Sequence, residues 1–238
     1  MKTLVKYTFR CLENQNWTAY FASIAEINAS VACIEEQFLH DGEMEVFDTI
    51  RSTSYRESWF AGRILAKTIY VQQHIAEQNT DWKNIRIVSR NSSGRSIAPR
   101  MLRYDVDTGF VFSLSHVADR VMMVVPASPV AGIGCDLVCQ GTTTPGMVKT
   151  FFHDAEISDP LGSISFDVHC DTLWAVKEAA YKSCSGNEPF QPRRWLAQRI
   201  EENRYLCRHL DPNRQLSAEA ETFTIDDYII AVAKKSEG

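Results

Sequence analysis

The chain has 238 residues, 45% of them hydrophobic, 11% aromatic and 23% charged, a composition that can bury a core and excludes intrinsic disorder; the length suits one large domain or two of about 120 residues. A net charge of −5 and a pI near 5.7 exclude the global positive field that draws a protein onto nucleic acid or an anionic membrane. Lys2, Lys6 and Arg10 interrupt the run a signal peptide would need, no stretch reaches membrane-spanning length, and seven scattered cysteines make no secreted disulfide framework, so a reducing cytoplasm is expected.

In chain order, residues 3–10 read as a strand, and Tyr55 to Glu77 as the strongest helix, with Phe60, Ala61, Ile64, Leu65, Thr68 and Ile69 at three- and four-residue steps. "IRIVSR" (85–90) alternates like a strand and "NSSGRSIAP" (91–99) reads as a loop. "GFVFSLSH" (109–116) and "RVMMVVP" (120–126) suggest a hairpin, and "SPVAGIGCDLV" (128–138) is a further β-prone run. Helix is expected at about 143–157 and 167–185, then strands at "YLCRHL" and "YIIAVAKK". No sequence repeat is visible. The fold class is α+β, in two halves, 1–127 and 128–238, with the seam between them the default place for a ligand.

Several groups invite a chemical reading. In "TLWAVKEAAYKS" (172–183), Trp174, Glu178 and Lys182 stand at i, i+4 and i+8 on one helical face, with Lys177 and Tyr181 round to the side. Alone, Glu178 and Lys182 read as an exposed ion pair worth about 0.2–0.5 kcal/mol. Asp136 in "GIGCDLV" is a charge within a β-prone run, so facing the core it needs a partner; a turn or edge position is the plain alternative. The same run lacks the third glycine and the following helix of a dinucleotide fingerprint. Ser115 and His116 end a strand, where they are either phosphate-contacting groups or a hairpin corner. Arg56, Arg63 and Lys67 share one side of a helix, and Arg95 sits in a glycine loop; arginine is the preferred bidentate partner of phosphate, while solvated surface charge is the simpler reading. Cys135, Cys139, His169 and Cys170 lack the C-x-x-C spacing of a structural zinc site, and the cysteines read as buried or inert thiols.

Taken together and in order, these segments resemble the phosphopantetheinyl transferases of the surfactin-synthetase-activating type. "LWAVKEAAYK" is similar to that family's W-x-x-K-E-A-x-x-K signature, "GIGCDLV" to its G-I-D-I-E segment, and "FSLSH" to its strand ending in Ser-His. "FAGRILAK" resembles its A-G-R helix, "SGR" its basic glycine loop, and "YIIAVA" its closing strand, so the likeness covers residues 55 to 235. The resemblance implies a pseudo-twofold pair of similar α/β subdomains with the ligand site at their junction, coenzyme A as substrate, Mg2+ as cofactor, and an apo acyl or peptidyl carrier protein as partner. The implied reaction moves the 4′-phosphopantetheine arm to a carrier serine and releases 3′,5′-ADP, in fatty-acid, polyketide or nonribosomal-peptide synthesis. Asp136 and Glu178 are the implied metal ligands, Glu178 the base, and Lys182 the partner of the departing group. Arg56, Arg63, Arg95, Ser115, His116, Lys177 and Lys182 are the candidates for holding coenzyme A, with Trp174 a packing anchor. A monomer is expected.

Two departures stand out. Many long-type members carry an acid where this chain has Val138, a place a water is expected to fill, although the shorter trimeric synthases are also apolar there. Ser96 stands where a proline usually follows the basic loop residue. A non-catalytic relative that binds coenzyme A or a carrier is the alternative.

Overall fold

A computed structural model of the chain describes residues 9–13, 16–31, 35–75, 81–158, 165–184 and 189–236. Among the described residues the protein is mixed α+β, with three antiparallel sheets, and it divides into two compact units. The first joins Met1–Asn91 to Pro99–Ala127, and the second joins Ser92–Ala98 to Ser128–Gly238. The expected boundary after Ala127 is therefore crossed by one short segment, the loop that carries Arg95.

In the first unit, β1 (Phe9–Glu13) and β2 (Trp17–Ser23) lead into α1 (Ile24–Val31), α2 (Glu35–Phe38), α3 (Asp41–Thr49) and the long α4 (Thr53–His74). A 3-10 turn at Trp82–Asn84 opens β3 (Ile85–Arg90), followed by β4 (Ser96–Arg103), β5 (Val106–Asp107), β6 (Ser113–Val117) and β7 (Arg120–Pro126). The sheets run β1-β2-β7-β6 and β3-β4-β5. Ser52 caps α4 by accepting from the Tyr55 amide, and every residue from Ser58 to Tyr70 is buried. A helix enclosed on all sides belongs to a core rather than a surface, and Phe60, Ile64, Leu65 and Ile69 form the centre of this one.

The second unit runs β8 (Ile133–Cys139), α5 (Pro145–Phe151), α6 (Asp154–Ile157) and α7 (Phe166–Cys184). A second 3-10 turn (Pro192–Arg194) precedes β9 (Trp195–Glu201), β10 (Arg204–His209), β11 (Ser217–Ile225) and β12 (Tyr228–Lys235). Its sheet order is β8-β12-β11-β10-β9. In both units an early strand pairs with the last one, Ala19 opposite Val124 and Asp136 opposite Ala231, with the helices inserted between.

The strands at 85–90, 120–126 and 228–235 fall where expected, the first from its alternation and the other two from their β-prone runs. Most of the strand expected at 3–10 lies outside the described residues, as do residues 76 and 77 of the long helix. Three expectations are corrected. Residues 96–99 begin β4 instead of remaining loop, 109–112 precede β6 without joining it, and the helix at 143–157 is two, divided at Phe152 and His153. His153 takes a β conformation and begins a new helix there.

A repeat is present after all, short but structurally matched. "FLHDGE" (38–43) and "FFHDAE" (151–156) occupy equivalent places ahead of the two long helices. In each, the histidine is an N-cap whose amide donates to the glutamate three residues on, His40 to Glu43 at 3.0 Å and His153 to Glu156 at 2.7 Å. The other carboxylate oxygen accepts the amide of the third residue of the strand after the 3-10 turn, Ile87 at 3.0 Å and Ala197 at 2.8 Å. A lysine from the long helix completes each set: Lys67 reaches Glu43 and the Phe38 carbonyl, while Lys177 reaches Glu156 and the Phe151 carbonyl. Both lysines are 0% exposed. Burial lowers their proton affinity and the paired carboxylate opposes that effect.

Candidate functional site

β8 and α7 lie closer than side chains normally permit. A Cβ built on Gly134 would stand 2.0 Å from the Ala179 carbonyl oxygen, and one on Gly132 would stand 2.0 Å from that of Ser183. Both glycines are required by this approach of strand to helix backbone. On the strand, Asp136 shares the face of Gly134, so its carboxylate meets the same side of α7.

There Lys182 lies between two acids. Its ammonium is 2.9 Å from Asp136 Oδ1, 3.1 Å from Glu178 Oε1 and 3.0 Å from the Cys135 carbonyl oxygen. Asp136 is buried, whereas the Glu178 and Lys182 side chains are about a quarter exposed (28% and 24%). Burial alone would lower the Lys182 pKa, but Asp136 and then Glu178 outweigh it and hold the ammonium more firmly than an ordinary lysine. Two carboxylates and one ammonium leave one negative charge, open to solvent on the Glu178 side.

That donor set suits a hard cation of the magnesium type, which takes one or two protein carboxylates and completes its shell with phosphate oxygens and water. No cluster of three or more His, Cys, Asp or Glu suited to a metal occurs among the described residues. Val138, also on the α7 face, is buried in the unit's apolar core with Leu173, Val176 and Ala179.

The remaining candidates divide between the units. Lys177 is not at the carboxylate pair; it is held by Glu156 as described above. Asp171, one residue type the sequence reading passed over, is fully buried and accepts from the Gly141 amide at 2.6 Å and the Thr143 amide at 2.8 Å. It ties α7 to the loop leaving β8. Trp174 packs as expected, its ring 5.4 Å from that of Phe151 and 5.6 Å from that of Phe190. Arg95 is exposed, next to Gly94 at φ +77°.

In the first unit, Arg56, Arg63 and Lys67 do not form a solvent-facing row. Arg56 is half-buried, 3.6 Å from Asp48 and over the Phe47 ring. Arg63 is buried over the Trp59 ring, with Nε 3.5 Å from Glu43 and a terminal nitrogen donating to Ser89 Oγ. Burial pulls its pKa down to about 10, against the attraction of Glu43. Lys67 and Arg63 thus set two cations against the one carboxylate of Glu43, while Glu156 faces Lys177. Ser115 is buried and His116 exposed, as neighbours on β6 must alternate, and the His116 ring lies 6.0 Å from that of Tyr55. Arg90, whose charge acts on Arg63, is a further basic group at the end of β3 that sequence reading missed.

Among the described residues, no helix is long and apolar enough to cross a membrane. No protein-family model matches the chain, and no curated protein matches it.

Proposed function

We propose that this chain is a 4′-phosphopantetheinyl transferase of the surfactin-synthetase-activating type, built on that family's pair of similar α/β subdomains. The observation that carries the reading is the meeting of Asp136, Glu178 and Lys182 across β8 and α7. Asp136, distant in sequence, joins the i, i+4 pair of Glu178 and Lys182 in one polar cluster, and these are the residues the resemblance assigns to metal and leaving group.

In the proposed reaction a carrier serine oxygen bonds to the phosphorus bearing the pantetheine arm of coenzyme A. The bridging P–O bond breaks and its electron pair leaves with 3′,5′-ADP. Glu178, on the solvent side of the pair, accepts the serine proton directly or through water. Asp136 and Glu178 would hold Mg2+, which neutralises charge on the pyrophosphate when bound. Asp136 and Glu178 hold the Lys182 ammonium beside the pair, where it would neutralise the departing 3′,5′-ADP or donate a proton to it. Arg63, Arg95, Ser115 and His116 are the proposed phosphate partners. The buried second cation beside Glu43 supports Arg63, since an anion there would balance its charge. The engagement of Arg56 with Asp48 and Phe47 makes it the weakest of the set.

One observation favours a second reading. Lys182 already contacts both carboxylates, as it would in a relative that binds coenzyme A or a carrier without metal or turnover. Incubation with coenzyme A, magnesium and a panel of apo carrier proteins separates the two. A transferase adds one phosphopantetheine to the mass of at least one carrier, and the alternative leaves every mass unchanged while still binding coenzyme A.

A further inference from the structure

We infer that Glu156 is a positioning residue for Glu178, acting through Lys177 by fixing the rotation of α7 about its axis; the inference rests on the transferase reading. Lys177 and Glu178 are adjacent, so about 100° of helix separates a side chain directed into the core from one that meets Lys182 beside Asp136. The Lys177 ammonium is 2.7 Å from Glu156 and 3.0 Å from the Phe151 carbonyl oxygen. Glu156 in turn is held by the amides of His153 and Ala197, one before α6 and one in β9. The helix is thus keyed to three neighbouring elements at the residue next to the proposed metal ligand. Asp171, two turns earlier, keys it to the loop after β8.

The leverage is large. A carboxylate about 6 Å from a helix axis moves by about 1 Å when the helix turns through about 10°. Metal and catalytic groups tolerate roughly half of that. Removing one partner of a buried pair leaves a charge that must move toward water or lose its proton, and either outcome frees the helix to turn.

The first unit supplies a matched control. Glu43, Lys67, His40 and Ile87 form the same arrangement, but the residue after Lys67 is Thr68, and no metal carboxylate is proposed on α4. A purely structural role predicts that Glu43 and Glu156 variants behave alike. A positioning role predicts that only the Glu156 variant alters the metal site.

The experiment measures the Mn2+ dissociation constant by electron paramagnetic resonance, with neither coenzyme A nor carrier present so that Arg63, the proposed phosphate partner beside Glu43, plays no part, alongside the melting temperature. Glu156→Gln is expected to weaken Mn2+ binding about 10-fold or more, as loss of a supporting partner does at metal sites. Glu43→Gln is expected to lower the melting temperature and leave Mn2+ affinity within about twofold. Should Glu156→Gln fail to fold, the double variant Glu156→Leu/Lys177→Met replaces the pair by apolar groups that restore packing without the directional bond, and the same loss of Mn2+ affinity is expected. Unchanged Mn2+ affinity in the folded unit-two variant, or an equal loss in both units, overturns the inference. If the wild type transfers the arm and the variants give either of those results, the inference alone falls; a wild type that neither transfers nor binds Mn2+ overturns the transferase reading with it.

Discussion

Gly134→Ala tests the contact that brings Asp136 to α7. The new Cβ would meet the Ala179 carbonyl oxygen at 2.0 Å and the Ser183 amide nitrogen at 2.5 Å, both backbone atoms that no rotamer change can move. Restoring an ordinary separation of about 3.4 Å requires α7 to retreat from β8 by about 1.4 Å, opening a gap in the layer where Ala175, Ala179 and Val138 pack. Overpacking of this kind costs about 1–3 kcal/mol, and backbone against backbone belongs at the upper end. For a chain of this size that lowers the melting temperature by roughly 3–12 °C. The same retreat draws Lys182 out of contact with Asp136. Urea unfolding of Gly134→Ala beside Gly146→Ala is the assay. Gly146 lies in α5 with its nearest atom 3.8 Å from a built Cβ, so alanine there is expected to stabilise by about 0.5–1 kcal/mol. A Gly134→Ala protein within about 0.5 kcal/mol of wild type would refute the close packing of strand and helix.

Lys177→Met leaves Glu156 buried without its cation and is expected to cost about 3–5 kcal/mol by urea unfolding, while Lys177→Met/Glu156→Leu recovers most of it. Burial raises the Cys170 thiol pKa to about 11, so at pH 8 about a thousandth of it is thiolate and alkylation in the native state is slow; half-buried Cys139 is expected to react first among the described thiols. Cys184 and Cys207 are raised by burial as well. Because the folded values exceed the unfolded one, these thiols favour folding below about pH 9, and that contribution is lost as pH rises from there through each raised value; Cys207→Ala should flatten the decline in unfolding free energy above about pH 9. Lys182→Ala is expected to slow transfer about 10²–10³-fold in a single-turnover assay, and an undiminished rate would remove it from the mechanism.

Alternation was informative at β3, where one face of the strand is buried, whereas β7 and β12 were legible as continuous apolar runs buried on both faces. It failed at β9 and β11, where Gln198, Arg199, Glu219 and Glu221 mix charge with alanines too small to mark a core face. The cluster of Asp136, Glu178 and Lys182 was legible only in part: helical spacing paired Glu178 with Lys182, and an acid inside an apolar strand demanded some partner, but the family resemblance alone set Asp136 beside them. Lys67 and Lys177 were misjudged for the opposite reason: a lysine in an amphipathic helix is normally solvated, and only its distant glutamate shows otherwise. The signal that would have found them was the pair of His-x-x-Glu capping boxes at 40–43 and 153–156, too short to stand out as a repeat.

The central claim is a metal-assisted transfer run by Asp136 and Glu178, and the mass of an apo carrier after incubation with coenzyme A and magnesium tests it most directly. Wild type is predicted to convert a carrier to the phosphopantetheinylated form, with Asp136→Ala and Glu178→Ala slower by about 10²–10⁴-fold. A carrier modified equally fast by wild type and by both variants, or one that gains no mass with wild type across the panel, contradicts the account.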